Sequence, residues 1–114
     1  MQINLTARHF RPTQRLKQYA EKRVHRLQRY YDGIIDCGVI LAYEKQTQIA
    51  EITIDVYGQR LVAREKSEDI FKSIDSAVDK LERQLKKYKA KLRGISNDKI
   101  KALKEEGEKV QSVE

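Results

Sequence analysis

The stretch KLERQLKKYKAKLR, residues 80–93, sets seven cations against one anion, Glu82, in fourteen positions. Ammonium and guanidinium groups at that density suit one kind of chemistry: neutralising the phosphates of a polyanion and releasing its counterions. Arginine adds a planar fork that grips phosphate bidentately and stacks on bases. Other reactive side chains are sparse. Cys37 is the single cysteine, so no internal disulfide can form, which fits a reducing cytoplasm. Its strand parity with Val39 and Leu41 reads as a small core residue rather than a nucleophile. His9 and His25 have no ligand spacing and no second cysteine to join, so no metal site is expected. Asp75 and Asp79 stand four apart and could act as a carboxylate pair. As helix-surface anions they are better read as partners of Lys72 or Arg83. No phosphate-cradling glycine loop, dinucleotide fingerprint or nucleophile elbow occurs. The sequence therefore predicts no enzyme, no cofactor and no small-molecule substrate.

The elements that must carry these cations follow from periodicity. Residues 1–6, MQINLT, alternate and read as a short strand with Ile3 and Leu5 on one face. The loop ARHFR leads to Pro12 and to Thr13, a helix N-cap. Leu16, Ala20, Val24, Leu27 and Tyr31 then recur at helical steps, so 14–31 reads as an amphipathic helix ended by Asp32–Gly33. Residues 34–45, IIDCGVILAYEK, are rich in β-branched side chains and form a strand, followed by a QTQ turn. IAEITIDVY, 49–57, puts Ala50, Ile52, Ile54 and Val56 on one side and Glu51, Thr53 and Asp55 on the other, a half-buried antiparallel strand. After YGQ, RLVAREK (60–66) is a fourth strand. Ser67 is expected to cap a second helix, with Glu68 and Asp69 in its first turn. That helix carries a stripe of Ile70, Ile74, Ala77, Val78, Leu81, Leu85, Tyr88 and Leu92, and Gly94 stops it. Tyr43, Tyr57 and Tyr88 are expected at the edge of the core.

The order predicts an α+β domain over residues 1–94, βαβββα, with both helices on one face of a four-stranded sheet. Its first strand crosses over to a parallel second strand, right-handed. Residues 95–114 are mixed in charge and read as a flexible or partly helical tail. No apolar run approaches the length of a membrane span, and no signal-peptide pattern opens the chain.

The charge is not spread evenly. Residues 8–32 hold eight cations and two anions, a net +6; residues 67–93 hold eight and five, +3. The strands, 33–66, come to −1, and so does the tail, within a total of +7 and a pI of about 9.5. At 100° per residue, Lys80, Arg83, Lys87 and Lys91 form one row on the second helix, and Lys86, Lys89 and Arg93 another on the opposite flank. On the first helix Arg15, Lys22, Arg26 and Arg29 align, with Tyr19, Arg23 and Tyr30 beside them. A cation-rich last turn complements the helix dipole, which accounts for two or three charges near 93. It does not account for the excess on the first helix. These twelve cations are the candidate RNA-binding residues, with nucleic acid favoured over an acidic membrane surface.

EDIFKSIDSAVDKLERQLKKYKAKLR resembles the second helix of the ribosome hibernation-promoting factor family, also called ribosome-associated inhibitors. The matching positions are Asp69, Phe71, Ile74, Asp75, Lys80, Leu81, Arg83, Gln84, Leu85, Lys87, Lys89 and Lys91. The opening MQINLTARHFRPT and the Glu44–Lys45 pair fit as well, and the likeness runs from residue 1 to about 93. Phe71 replaces the family's usual tyrosine, and Lys72 and Ser73 stand where small apolar residues are usual. The resemblance implies a fold similar to the double-stranded RNA-binding domain. It also implies binding to the small ribosomal subunit at the decoding region, where messenger and transfer RNA would lie. Translation is then inhibited, and whole ribosomes are held idle, under stress or in stationary phase. By position, Arg23, Arg26, Lys80, Arg83, Lys87, Lys89 and Lys91 would contact ribosomal RNA. The chain looks like a short family member. Its tail is intermediate between those that promote ribosome dimers and those that hold single ribosomes, leaning to the first. Two alternatives compete: a general double-stranded RNA-binding module, and a protein-binding modulator of transcription.

Overall fold

The computed structural model describes residues 1–94. β1 (Gln2–Arg8) is followed by α1 (Gln14–His25) and a 3₁₀ turn, η1 (Arg26–Arg29). Then come β2 (Asp36–Glu44), β3 (Thr47–Val56), β4 (Gln59–Ser67) and α2 (Ile70–Gly94). The sheet order is β1-β2-β3-β4, with β1 parallel to β2 and the remaining pairs antiparallel. This is the expected βαβββα architecture. The tail lies outside the described residues.

Register places the core. Ile3 stands beside Cys37, Cys37 beside Ile54, and Ile54 beside Leu61, so one face of all four strands is apolar. Against it pack Leu16, Ala20, Val24 and Leu27 from the first helical segment and Ile70, Ile74, Val78, Leu81 and Leu85 from α2. The opposite face mixes Ile40, Ala42, Ile49 and Val62 with charged residues, and two ion pairs bridge β3 and β4 on it. Arg60 Nε lies 2.7 Å from Asp55 Oδ1, and Arg64 Nε lies 3.9 Å from Glu51 Oε1.

α2 is pinned at both ends. At its start the Ile70 N–H donates to Gln48 Oε1 at 2.8 Å, and the buried Ser73 hydroxyl donates to Gln48 O at 2.7 Å. The cap is Asp69, whose Oδ1 accepts from the Phe71 N–H at 2.9 Å. Ser67, expected as the cap, instead accepts from the Asp69 N–H at 3.1 Å. Glu68 and Asp69 therefore precede the helix, and its first turn holds no acid. Near the far end the Tyr88 hydroxyl donates to Tyr57 O at 2.7 Å.

Other boundaries also move. Ala7 and Arg8 extend β1 into the expected loop. Helical winding stops being α-helical at His25 and continues as η1, leaving Tyr30 and Tyr31 beyond it. Thr13 does cap α1, accepting from the Leu16 N–H at 3.1 Å. The β2–β3 turn lies at Lys45–Gln46, ahead of the expected QTQ, because Thr47 already pairs with Glu44. Tyr57 is not at the core edge: it is 82% exposed at the tip of the β3–β4 hairpin. The next residue, Gly58, takes φ 75°, a left-handed value at which a side chain is strained. Tyr43 is half-buried and stacks on Phe10, ring centroids 3.9 Å apart. Leu92, at the end of the apolar stripe, is exposed.

Cys37 is 1% exposed, and burial, with Asp55 adding to it, pushes its thiol up to about 12. A thiol held protonated in the fold stabilises it fully below the ordinary value of 9.0. That contribution is lost as pH rises toward about 12, because the unfolded chain releases the proton first. Native protein at pH 8 is therefore expected to leave a disulfide-exchange reagent unconsumed, while denatured protein titrates one thiol per chain. Rapid labelling of the native chain would contradict the burial.

Candidate nucleic-acid interface

The interface is built on two helical segments that lie side by side and run the same way. Tyr19 meets Phe71 edge-on at 5.0 Å, Tyr30 faces Lys86, and Tyr31 meets Tyr88 at 5.4 Å, so the contacts advance together along both chains. Each segment brings an excess of cations to this side, so the seam between them needs negative charge. α2 supplies it. Asp75 Oδ1 accepts from Tyr19 Oη at 2.6 Å and from Arg23 Nε at 2.8 Å. A second Arg23 nitrogen lies 3.6 Å from Asp79 Oδ1. The acidic pair is thus spent on the neighbouring helix, not on Lys72 or Arg83 as local spacing suggested. The hydrogen bond to Asp75, assisted by burial, raises the Tyr19 hydroxyl above its usual range.

This separates the twelve candidate cations. Arg23 is only 19% exposed and faces the seam. Lys80 Nζ lies 2.7 Å from Glu65 Oε2 of β4, with its side chain 45% exposed. Arg15, Lys22, Arg26 and Arg29 are exposed along the outer side of α1 and η1. On α2, Arg83 and Lys86 are exposed, and Lys87, Lys89 and Lys91 are half-exposed. Lys86 also sits over the Tyr30 ring, 5.3 Å from its centroid, which steadies its long side chain. The Arg93 side chain lies outside the described residues.

Sequence reasoning missed the structural partners rather than the cations. Gln84 Nε2 donates to Val62 O at 3.0 Å, and Glu65 anchors Lys80. Strand parity carried one usable signal: Val56 points inward, so Tyr57 had to point out. Nothing local marked Arg23 as the residue that closes the seam. Among the described residues no group of three or more histidine, cysteine, aspartate or glutamate side chains could hold a metal. No helix among them is long and apolar enough to cross a membrane.

Known proteins share this architecture. Residues 3–93 match the family model described as sigma 54 modulation protein / S30EA ribosomal protein. The ribosome hibernation promoting factor of Pseudomonas putida is 37% identical over 95 residues, covering 83% of this chain and 93% of that one. The factor of the same name from Azotobacter vinelandii is 40% identical over 91 residues, 80% of this chain and 85% of that one. Among solved structures, a ribosomal subunit interface protein from Coxiella burnetii superposes with a TM-score of 0.76 at 33% identity. It covers 80% of this chain and is itself covered completely. The N-terminal domain of Thermus thermophilus Protein Y gives 0.73 at 36% identity, covering 77% of this chain and 99% of that domain.

The seam makes a direct demand on stability. Replacing Asp75 by alanine strands a largely buried guanidinium and removes the acceptor of Tyr19. The expected loss is about 1–2 kcal/mol, discounted because the carboxylate side chain is itself 40% exposed. Urea unfolding should show a lower midpoint with an unchanged slope. An unaltered midpoint would mean that the helices hold together without the pair.

Proposed function

The chain belongs to the sigma 54 modulation protein / S30EA ribosomal protein family, and on that premise we infer that it is a ribosome hibernation factor whose basic helical face lies on small-subunit ribosomal RNA. The reading places it at the decoding region in the cytoplasm. There it excludes messenger and transfer RNA and silences whole ribosomes by occupying them, without carrying out a reaction.

The observation that carries this reading is the asymmetry of charge. On the open sheet face cations are matched by carboxylates across strands. On the helical side the carboxylates Asp75 and Asp79 close the seam, and the excess of cations lies there: residues 8–32 are net +6 and residues 67–93 net +3, against −1 for the strands. Arg15, Lys22, Arg26 and Arg29 on one segment, with Arg83, Lys86, Lys87, Lys89, Lys91 and Arg93 on the other, are assigned to phosphate contact. Arg23 takes a different role: it holds the two segments at a fixed spacing. Lys80 is oriented by Glu65 and contributes less. A folded RNA offers phosphates on several sides at once, so rows on opposite flanks of α2 can be neutralised together.

The test is co-sedimentation with purified small ribosomal subunits across a salt series, with long duplex RNA as competitor. The expected result is binding near one chain per subunit, resistant to the duplex and released by salt. Arg26→Glu and Arg83→Glu should each weaken binding and flatten the logarithmic salt slope by about 1. If both variants bind normally, the basic face is not the contact. If duplex RNA strips the protein as readily as free subunits do, the chain is a general RNA-binding module instead.

A further inference from the structure

The two edges of the sheet are treated differently. At the β4 edge α2 reaches across, with Gln84 Nε2 donating to Val62 O and Lys80 pairing with the Glu65 side chain. β1 is the other edge and pairs with β2 alone. The Gln2 N–H donates to Ile35 O, at the entry to β2, at 3.4 Å. In a strand the N–H and C=O of one residue point the same way, and the direction alternates along the chain. Gln2, Asn4, Thr6 and Arg8 therefore turn their backbone toward β2. Ile3, Leu5 and Ala7 turn theirs outward, as a ladder of donors and acceptors with no strand partner among the described residues. Beside this ladder lies a groove lined by Ile3 from β1 and by Glu21, Lys22, His25, Arg26 and Arg29 from α1 and η1.

We propose that the β1 edge and this groove form a docking site for an extended acidic segment of a partner protein. The segment adds to the sheet as a fifth strand and turns alternate carboxylates toward Lys22, Arg26 and Arg29. Main-chain hydrogen bonds supply the affinity in this mode, and alternate side chains supply the specificity. Three arguments select this occupant. The ladder presents carbonyls as well as N–H groups, so the ligand must bring donors at strand spacing, as a peptide does and a phosphate backbone does not. The groove wall has three permanent cations and one carboxylate, which favours acidic side chains. A second copy of this chain would set its own α1 cations against these, and like charges oppose that pairing. The site shares Lys22, Arg26 and Arg29 with the ribosome reading, but it rests on the outward backbone of β1, which that reading does not use.

The test uses the full chain and a fluorescent peptide of alternating glutamate and valine, about eight residues long to match a strand. Anisotropy at low salt should show binding, and a glutamine-for-glutamate peptide should bind at least roughly tenfold more weakly, a difference of about 1.4 kcal/mol. Two N-methylated peptides supply the decisive comparison: methylation on one alternating set of residues should abolish binding, and on the other set should be tolerated. Hydrogen exchange at Ile3, Leu5 and Ala7 should slow on binding, while Asn4 and Thr6, already paired, stay unchanged. Absence of binding overturns the proposal. Equal behaviour of the two methylated peptides, or unchanged exchange at Ile3 and Leu5, also overturns it, because binding would then be charge adhesion to α1 without strand addition.

Discussion

Two positively charged helical segments lie against one another, and everything on that side of the molecule depends on how their repulsion is met. The solution is a short seam of opposite charge. Asp75 takes hydrogen bonds from both Tyr19 and Arg23, and Asp79 backs it within reach of the same guanidinium. An exposed ion pair of this kind contributes little to stability. Here one partner is mostly buried and the carboxylate is shared with a phenol, so the pair also fixes geometry. It ties the two cation-bearing segments together above the apolar core that both share.

The sheet is the foundation of that geometry. Gln48 on β3 binds the first turn of α2 through both its side chain and its backbone carbonyl, and the hairpin carbonyl of Tyr57 receives Tyr88. α2 is thus seated by the strands, and α1 is seated by α2. The two faces of the sheet divide the work. One is buried beneath the helices. The other carries two ion pairs between β3 and β4 and leaves the chain's excess of cations on the helical side.

Much of this was legible from residue patterns because the patterns are local. The alternation of IAEITIDVY assigned both faces of β3, and the 3.6-residue stripe of α2 named its buried side chains. Charge counted by segment assigns the excess of cations to the two helical segments. What escaped was decided by distant residues. Ser67, Glu68 and Asp69 are all competent near a helix start. The choice among them depends on where Gln48, more than twenty residues earlier, receives the helix. Asp75 and Asp79 offered plausible partners on their own helix, but Arg23 reaches them from another one. The ion pair of Arg23 with Asp75 is hidden for the same reason: a sequence shows that a cation exists, not which side of a seam it faces. A stripe ending in Tyr31 fits either kind of helical winding over its last turn, so periodicity alone does not place the end of α1 at His25.

That change in winding alters how charge is delivered. A 3₁₀ turn has three residues per repeat, so side chains at i and i+3 eclipse instead of fanning around the axis. η1 runs from Arg26 to Arg29, which occupy its first and last positions. Their Cα–Cβ bonds therefore leave the backbone in nearly the same direction, about 6 Å apart along the axis at the usual 3₁₀ rise. An α-helix would splay them by some 60°. The tightened turn therefore roots two arginines in one line along the axis, where an α-helical turn would root them on two.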